Sequence, residues 1–202
     1  MADLVRGKYP VTHPLSKLFG SFNATQGDLA LRSNAEWFGL SGISDGALAG
    51  TGVGCAVPIP VEVGDTFTKV SLFVGGTAEA TGTHAFAALY SGVATPALLN
   101  QSADTTGAAA LAASARFDFT IPATTITSAT APGGFIYASI AITAGTIPTA
   151  MSVATPTAVG YQLFSNAPLF LSATHGSALG ATAAATIATP SAKAVAPIVV
   201  LS

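Results

Sequence analysis

Three histidines, nine carboxylates and one cysteine are the side chains of this 202-residue chain that could carry acid–base, nucleophilic or metal chemistry. A closed metal site needs about four nitrogen, sulfur or oxygen ligands brought to one point. His13, His84 and His175 are widely spaced, none has a second ligand close by in sequence, and Cys55 has no partner cysteine. No metal and no cofactor are expected, no intrachain disulfide can form, and Cys55 reads as a small buried hydrophobe. A serine nucleophile of the hydrolase type sits in a G-x-S-x-G elbow leading into a helix. That spacing occurs at Gly42–Gly46 (GISDG), but inside a glycine-rich stretch with no helical period after it, so it does not read as such an elbow. Glycoside hydrolysis needs two carboxyl groups about 5–9.5 Å apart in one cleft. Here Asp118 alternates outward beside Arg116, while Asp45, Glu62, Asp65, Glu79 and Asp104 fall in turns or at strand edges and read as solvated. No D-x-D-x-D-G calcium loop occurs. The glycine-rich stretch Ser41–Gly54 lacks the Lys-Ser/Thr and the following helix of a phosphate loop, and reads as an ordinary loop. No catalytic residue is therefore assigned, and an enzyme is not expected.

The elements that would have to position any site are strands. Phe67–Val74 (FTKVSLFV) sets Val70, Leu72 and Val74 on one side and Lys69, Ser71 and Phe73 on the other. It opens after Gly64-Asp65 and closes on Gly75-Gly76. Arg116–Ile121 alternates most cleanly, with Phe117, Phe119 and Ile121 inward. His84–Tyr90 and Phe135–Thr143 are apolar on both faces, which marks central strands. Cys55–Val63 is extended, and Pro58 and Pro60 place it at a sheet edge or a strand's start. Leu98–Ser102 is a short strand, Gly145–Val159 runs over the surface, and Leu169–Thr174 and Val195–Leu201 close the fold, Pro197 marking an edge or a bulge. Ala35–Leu40 is a short aromatic strand or turn. Turn signals recur and no long helical period appears, so the expected fold is all-β: an antiparallel β-sandwich of jelly-roll type, carrying an extended N-terminal arm. Residues 1–34 are assigned to the arm and 35–202 to the sandwich.

The arm differs from the rest of the chain. Prolines and glycines interrupt it, and isolated apolar side chains stud it: Leu4, Val5, Tyr9, Val11, Leu15, Leu18, Phe19 and Phe22. Two X-Pro bonds push it toward extended geometry. These eight residues are read as anchors that dock on a partner. Only 8% of residues are charged and the net charge is −2. An average soluble domain carries roughly 25%. A surface of Ala, Thr, Ser and Gly suits a chain largely covered by copies of itself or by other proteins. No basic stripe offers itself to phosphates, so no nucleic acid is expected. No apolar run reaches the ~18 residues of a spanning helix, so no membrane is expected. Met1–Pro10 has no apolar core of a secretory signal, which predicts a chain made in the cytoplasm and not exported by a recognisable signal. Among the aromatics, Tyr90 and Tyr137 lie on apolar strands and read as core, leaving Trp37 and Tyr161 as candidates for stacking on a glycan.

The stretch FTKVSLFVGGTAEATGTHAFAALYSG, then LLNQSAD, then the ending ATHGSALGATAAATIATPSAKAVAPIVVLS resembles Ala/Thr/Gly-rich β-sandwich virion structural proteins of tailed bacteriophages, particularly those of actinobacteria. The likeness covers about residues 60–202 and not the arm. It implies a non-enzymatic, minor tail or head-associated component of the virion, assembled in the host cytoplasm. Its partners would be other capsid or tail proteins and further copies of itself, a trimer being favoured. Capsid decoration anchored by the arm is the first expectation. The alternative is a tail- or baseplate-associated carbohydrate-binding module that contacts a host-surface glycan.

Overall fold

A computed structural model describes residues 25–26, 29–37, 42–105, 111–154 and 171–202. Apart from one 3-10 turn, Asn34–Trp37, every regular element in them is a strand. In chain order these are β1 (Thr25–Gln26), β2 (Leu29–Ala30), β3 (Arg32–Ser33), β4 (Ile43–Ala47), β5 (Val53–Pro60), β6 (Thr66–Phe73), β7 (Ala80–Tyr90) and β8 (Leu98–Gln101). There follow β9 (Arg116–Thr125), β10 (Phe135–Thr146), β11 (Thr149–Ala154), β12 (Ala173–His175), β13 (Ser191–Ala192), β14 (Val195–Pro197) and β15 (Val199–Leu201).

The chain forms an antiparallel two-layer structure. One layer is a six-stranded sheet in the order β13-β12-β5-β10-β7-β8. The other joins a four-stranded sheet, β3-β15-β6-β9, to a three-stranded one, β14-β11-β4. The joint is made twice. An isolated bridge links Val74 to Ala150, and β14 and β15 are successive pieces of one extended run that changes sheet at Ile198. Val57, Ile59, Leu89, Ile136 and Ile140 of the first layer meet Val70, Leu72, Phe119, Val199 and Leu201 of the second in one buried cluster. Burying side chains of this size contributes roughly 1.5–3 kcal/mol each before chain-ordering costs.

The apolar run of β10 is central because both of its faces have cover. Its even residues Ile136, Ala138, Ile140 and Ile142 face the other layer. Phe135 and Tyr137 face out, where they cluster with Ala56, Ala88, Tyr90, Ala173 and Ile187. That outer side is covered by the Gly176–Pro190 segment, here called the strap. It runs across four strands' worth of sheet. Leu179 N–H donates to Gly52 O at 2.8 Å, Tyr90 OH donates to Ala184 O at 2.9 Å, and Leu98 N–H donates to Ala185 O at 2.9 Å.

Several boundaries differ from those expected from local pattern. Ser41–Gly54 is not one loop: β4 lies within it and pairs with β11 from Ile43↔Val153 to Ala47↔Thr149. Gly145–Val159 likewise holds β11, whose inward Ala150 and Ser152 are too small to mark an alternation. The closing strand is short at its start, β12 beginning at Ala173. β5 is interior at its first residues, where Gly54, Cys55 and Ala56 pair with β12. From Val57 to Pro60 its described pairing is with β10 alone, so both prolines sit where no second ladder asks for their missing N–H. Arg32–Asn34, expected as the end of the arm, are bonded into the body: Arg32↔Leu201 and Ser33↔Val200 are paired.

Candidate functional site

The anchors Leu4, Val5, Tyr9, Val11, Leu15, Leu18, Phe19 and Phe22, and Tyr161, lie outside the described residues, as does the side chain of Trp37. What the structure does describe is the root from which the N-terminal segment leaves. Arg32 is buried, and its guanidinium grips Asp65 in a two-point contact, Nε to Oδ2 at 2.7 Å and an Nη to Oδ1 at 3.0 Å, with Glu62 at 3.5 Å. The planar fork of arginine matches a carboxylate in this geometry, and charge-assisted bonds of this kind are the strong ones. Asp65 in turn holds the turn before β6 by accepting from Glu62 N–H. Two residues on, the buried Asn34 spans the point where the chain changes sheet. Its Nδ2 donates to Pro197 O at 2.7 Å and its Oδ1 accepts from Val199 N–H at 2.9 Å. Ser33 Oγ donates to Val199 O. A strand that leaves one sheet for another exposes backbone groups at the break, and one asparagine satisfies a donor and an acceptor there.

A second constellation was not legible in the sequence. His175 lies in a sequence, ATHGSAL, that reads as a turn, yet it ends β12 and is buried. Its Nε2 is 2.7 Å from Ser139 Oγ on β10, and Tyr90 stands edge-on to the ring at 5.5 Å. Gly54 makes room for the pair, since a Cβ there would lie 2.6 Å from Nε2 and 2.9 Å from Ser139 Oγ. A serine bonded to a histidine suggests an activated nucleophile. The surroundings argue against that role for this pair. Nδ1 is buried without a partner, so no acid orients the ring. Burial alone holds the imidazole down to about 4, which leaves it neutral and a weak base at pH 7. Both side chains are only 3% exposed, so no substrate carbonyl reaches them.

Several other acids among the described residues brace the fold. Asp104 accepts from Ala85 N–H and pairs with His84 Nδ1 at 2.7 Å. Glu79 is nearly buried, receives Leu111 N–H, and has its carboxyl pushed up by burial. Asp45 accepts from Gly76 N–H at 2.6 Å. The solvated roles expected for Asp65, Glu79 and Asp104 are thus corrected: each carboxylate satisfies a buried or strand-end donor that sequence spacing does not reveal. Asp118 does face outward, paired with Arg116 and accepting from Ser71 Oγ. Cys55 is buried, near Ser172, with its thiol pushed up by burial. Tyr90 and Tyr137 are core residues, and Tyr90 has its hydroxyl satisfied.

On the outer side of the second layer a depression of about 410 Å³ opens between Asp45, Phe73, Gly76, Arg116 and Met151. Both of its charged walls are already engaged, Asp45 by Gly76 and Arg116 by Asp118. Among the described residues no three His, Cys, Asp or Glu side chains are grouped to hold a metal, and no helix is long and apolar enough to cross a membrane. No protein-family model matches the chain, and no curated protein matches it.

Proposed function

We propose that this chain is a non-enzymatic structural protein of a bacteriophage virion, a capsid decoration or head-associated component held to the particle by its N-terminal segment. The observation that carries the reading is the built root at Arg32–Asn34. A loose terminus needs no such fixture. Here the residue that follows the anchor-rich stretch is zipped to β15, clamped through Arg32 to the turn before β6, and bracketed by Asn34 across β14 and β15. A pull on the segment would load several bonds in two elements together instead of peeling one strand. Each apolar anchor buried on a partner would contribute roughly 1.5–3 kcal/mol before ordering costs. Several copies engaging together would convert modest contacts into lasting attachment. The sparse charge and the small-residue surface support the same reading.

The test is deletion of residues 1–31. The truncated chain is expected to keep its β-sheet circular dichroism and cooperative melting, and to lose co-sedimentation with particles of the encoding phage. Incorporation of the truncated chain at the full level would overturn the proposal.

A further inference from the structure

The Ser139–His175 pair is built into the outer face of the six-stranded sheet, where the strap begins. His175 directly precedes Gly176, which has φ +68°, the left-handed turn by which the chain leaves β12 for the strap. A neutral imidazole is tolerated there, with Nε2 on Ser139 and Nδ1 bare. An imidazolium is not. It carries two N–H donors and a charge, Ser139 Oγ can receive only one of them, and a buried unpaired charge is costly. Among the described residues, the groups facing the ring supply no counter-charge. β10 offers Ser139, β5 offers Gly54, and β7 offers Tyr90. Leu179 of the strap lies against Gly176. Tyr90 is titratable, but its phenol is pushed up to about 12 by burial, and Tyr137 on the same face is shifted the same way. Cys55, next to Gly54, points to the opposite face, and its thiol is also shifted upward.

We propose that His175 is a proton-operated latch: on acidification its buried, unpartnered Nδ1 takes a proton, and the Gly176–Pro190 strap lifts off the sheet. The strap is held mainly by hydrogen bonds, among them Ile187 N–H to Pro96 O at 2.9 Å, Ala183 N–H to Gln101 Oε1 at 2.8 Å and Thr143 Oγ1 to Leu179 O at 2.9 Å. It is the part that yields because few large side chains anchor it. Its large apolar side chains are Leu179 and Ile187, it carries no charge, and its other residues are Ala, Thr, Gly, Ser and Pro. Two non-glycine residues in it hold left-handed backbone, Ala178 at φ +51° and Thr189 at φ +44°, and lifting relieves both. Opening at such a segment costs less than unfolding the sandwich. It would expose the aromatic side of the sheet, Phe135, Tyr137 and Tyr90, as an apolar surface present only in acid.

The sign follows from the ring's environment. The sealed imidazole titrates near 4 and an exposed one near 6.5, so the open form binds the proton first. The opening equilibrium therefore grows as pH falls between those values, by at most about tenfold per pH unit. This latch stands independently of the virion assignment.

Hydrogen exchange with mass spectrometry on the full chain at pH 7.5 and 5.0, corrected for intrinsic rates, tests it. Peptides covering Leu179–Ile187 are expected to lose protection by about tenfold or more at the lower pH, while β6 and β9 keep theirs. His175→Gln should remove the pH dependence. Strap protection that ignores pH, an unchanged pH response in His175→Gln, or parallel loss in β6 and β9 would each overturn the latch. If that variant does not fold, the ring signal of His175 in the native chain decides by NMR. It should titrate together with the strap amides, and titration without them counts against the proposal.

Discussion

Asp118 shows how much a single surface pair contributes. Its hydrogen bond from Arg116 is the main reason its carboxyl falls to about 2. A depressed folded value stabilises the native state above the ordinary carboxylate range and ceases to do so as pH falls through it. Both partners are substantially exposed, with side chains at 55% and 30% of their free area, so solvent screens the gain. Arg116→Gln is expected to narrow the stability difference between pH 5 and pH 2 by less than ~1 kcal/mol in urea titrations. A larger effect would mean that the pair is far better shielded than its exposure implies. This pair was legible because alternation alone puts Arg116 and Asp118 on the outer face. His175 was not, because the motif ATHGSAL is that of an open turn, and what buries the ring is Ser139, thirty-six residues away, with Tyr90 beside it.

Among the elements, the close approach of β7 and β10 depends on a glycine just beyond β7. A Cβ on Gly92 would collide with the carbonyl oxygen of Phe135, the first residue of β10. That oxygen belongs to backbone, so it cannot swing aside as a side-chain tip would. Gly92→Ala is expected to destabilise by about 2 kcal/mol or more, read as a lower urea midpoint at unchanged m-value. Gly180→Ala in the strap meets nothing within 4 Å, and should stay within ~0.5 kcal/mol of the native chain. Equal effects at the two glycines would contradict the packing described here. The strong strands β6, β7, β9 and β10 announce themselves through Val, Ile, Phe and Leu at alternate positions or along continuous runs. β4 and β11 do not, since Gly46, Ala47, Ala150 and Ser152 present side chains too small to form a pattern, and their strand state comes from pairing with each other.

For the molecule as a whole, the Arg32–Asp65 contact ties a residue near the N-terminal segment to the turn between β5 and β6. Asp65→Asn would leave the Arg32 guanidinium buried against a neutral amide in place of its two-point carboxylate, with the exposed Glu62 still at 3.5 Å. Breaking one side of a buried pair costs about 3 kcal/mol. The expected outcome is a loss of that size in chemical denaturation, accompanied by faster proteolysis near residue 32. A cost under ~1 kcal/mol would mean the clamp is not what fixes the root. The period-two alternation of side chains is a property of neighbouring residues, so the β class, the antiparallel sandwich and the outward Arg116–Asp118 pair follow from the order of amino acids. Which strands lie side by side does not. Backbone ladders are indifferent to side-chain identity, so the meeting of Arg32–Asn34 with Pro197–Leu201, and the laying of an alanine-rich strap across Tyr90 and Leu98, arise only when distant parts of the chain have come together.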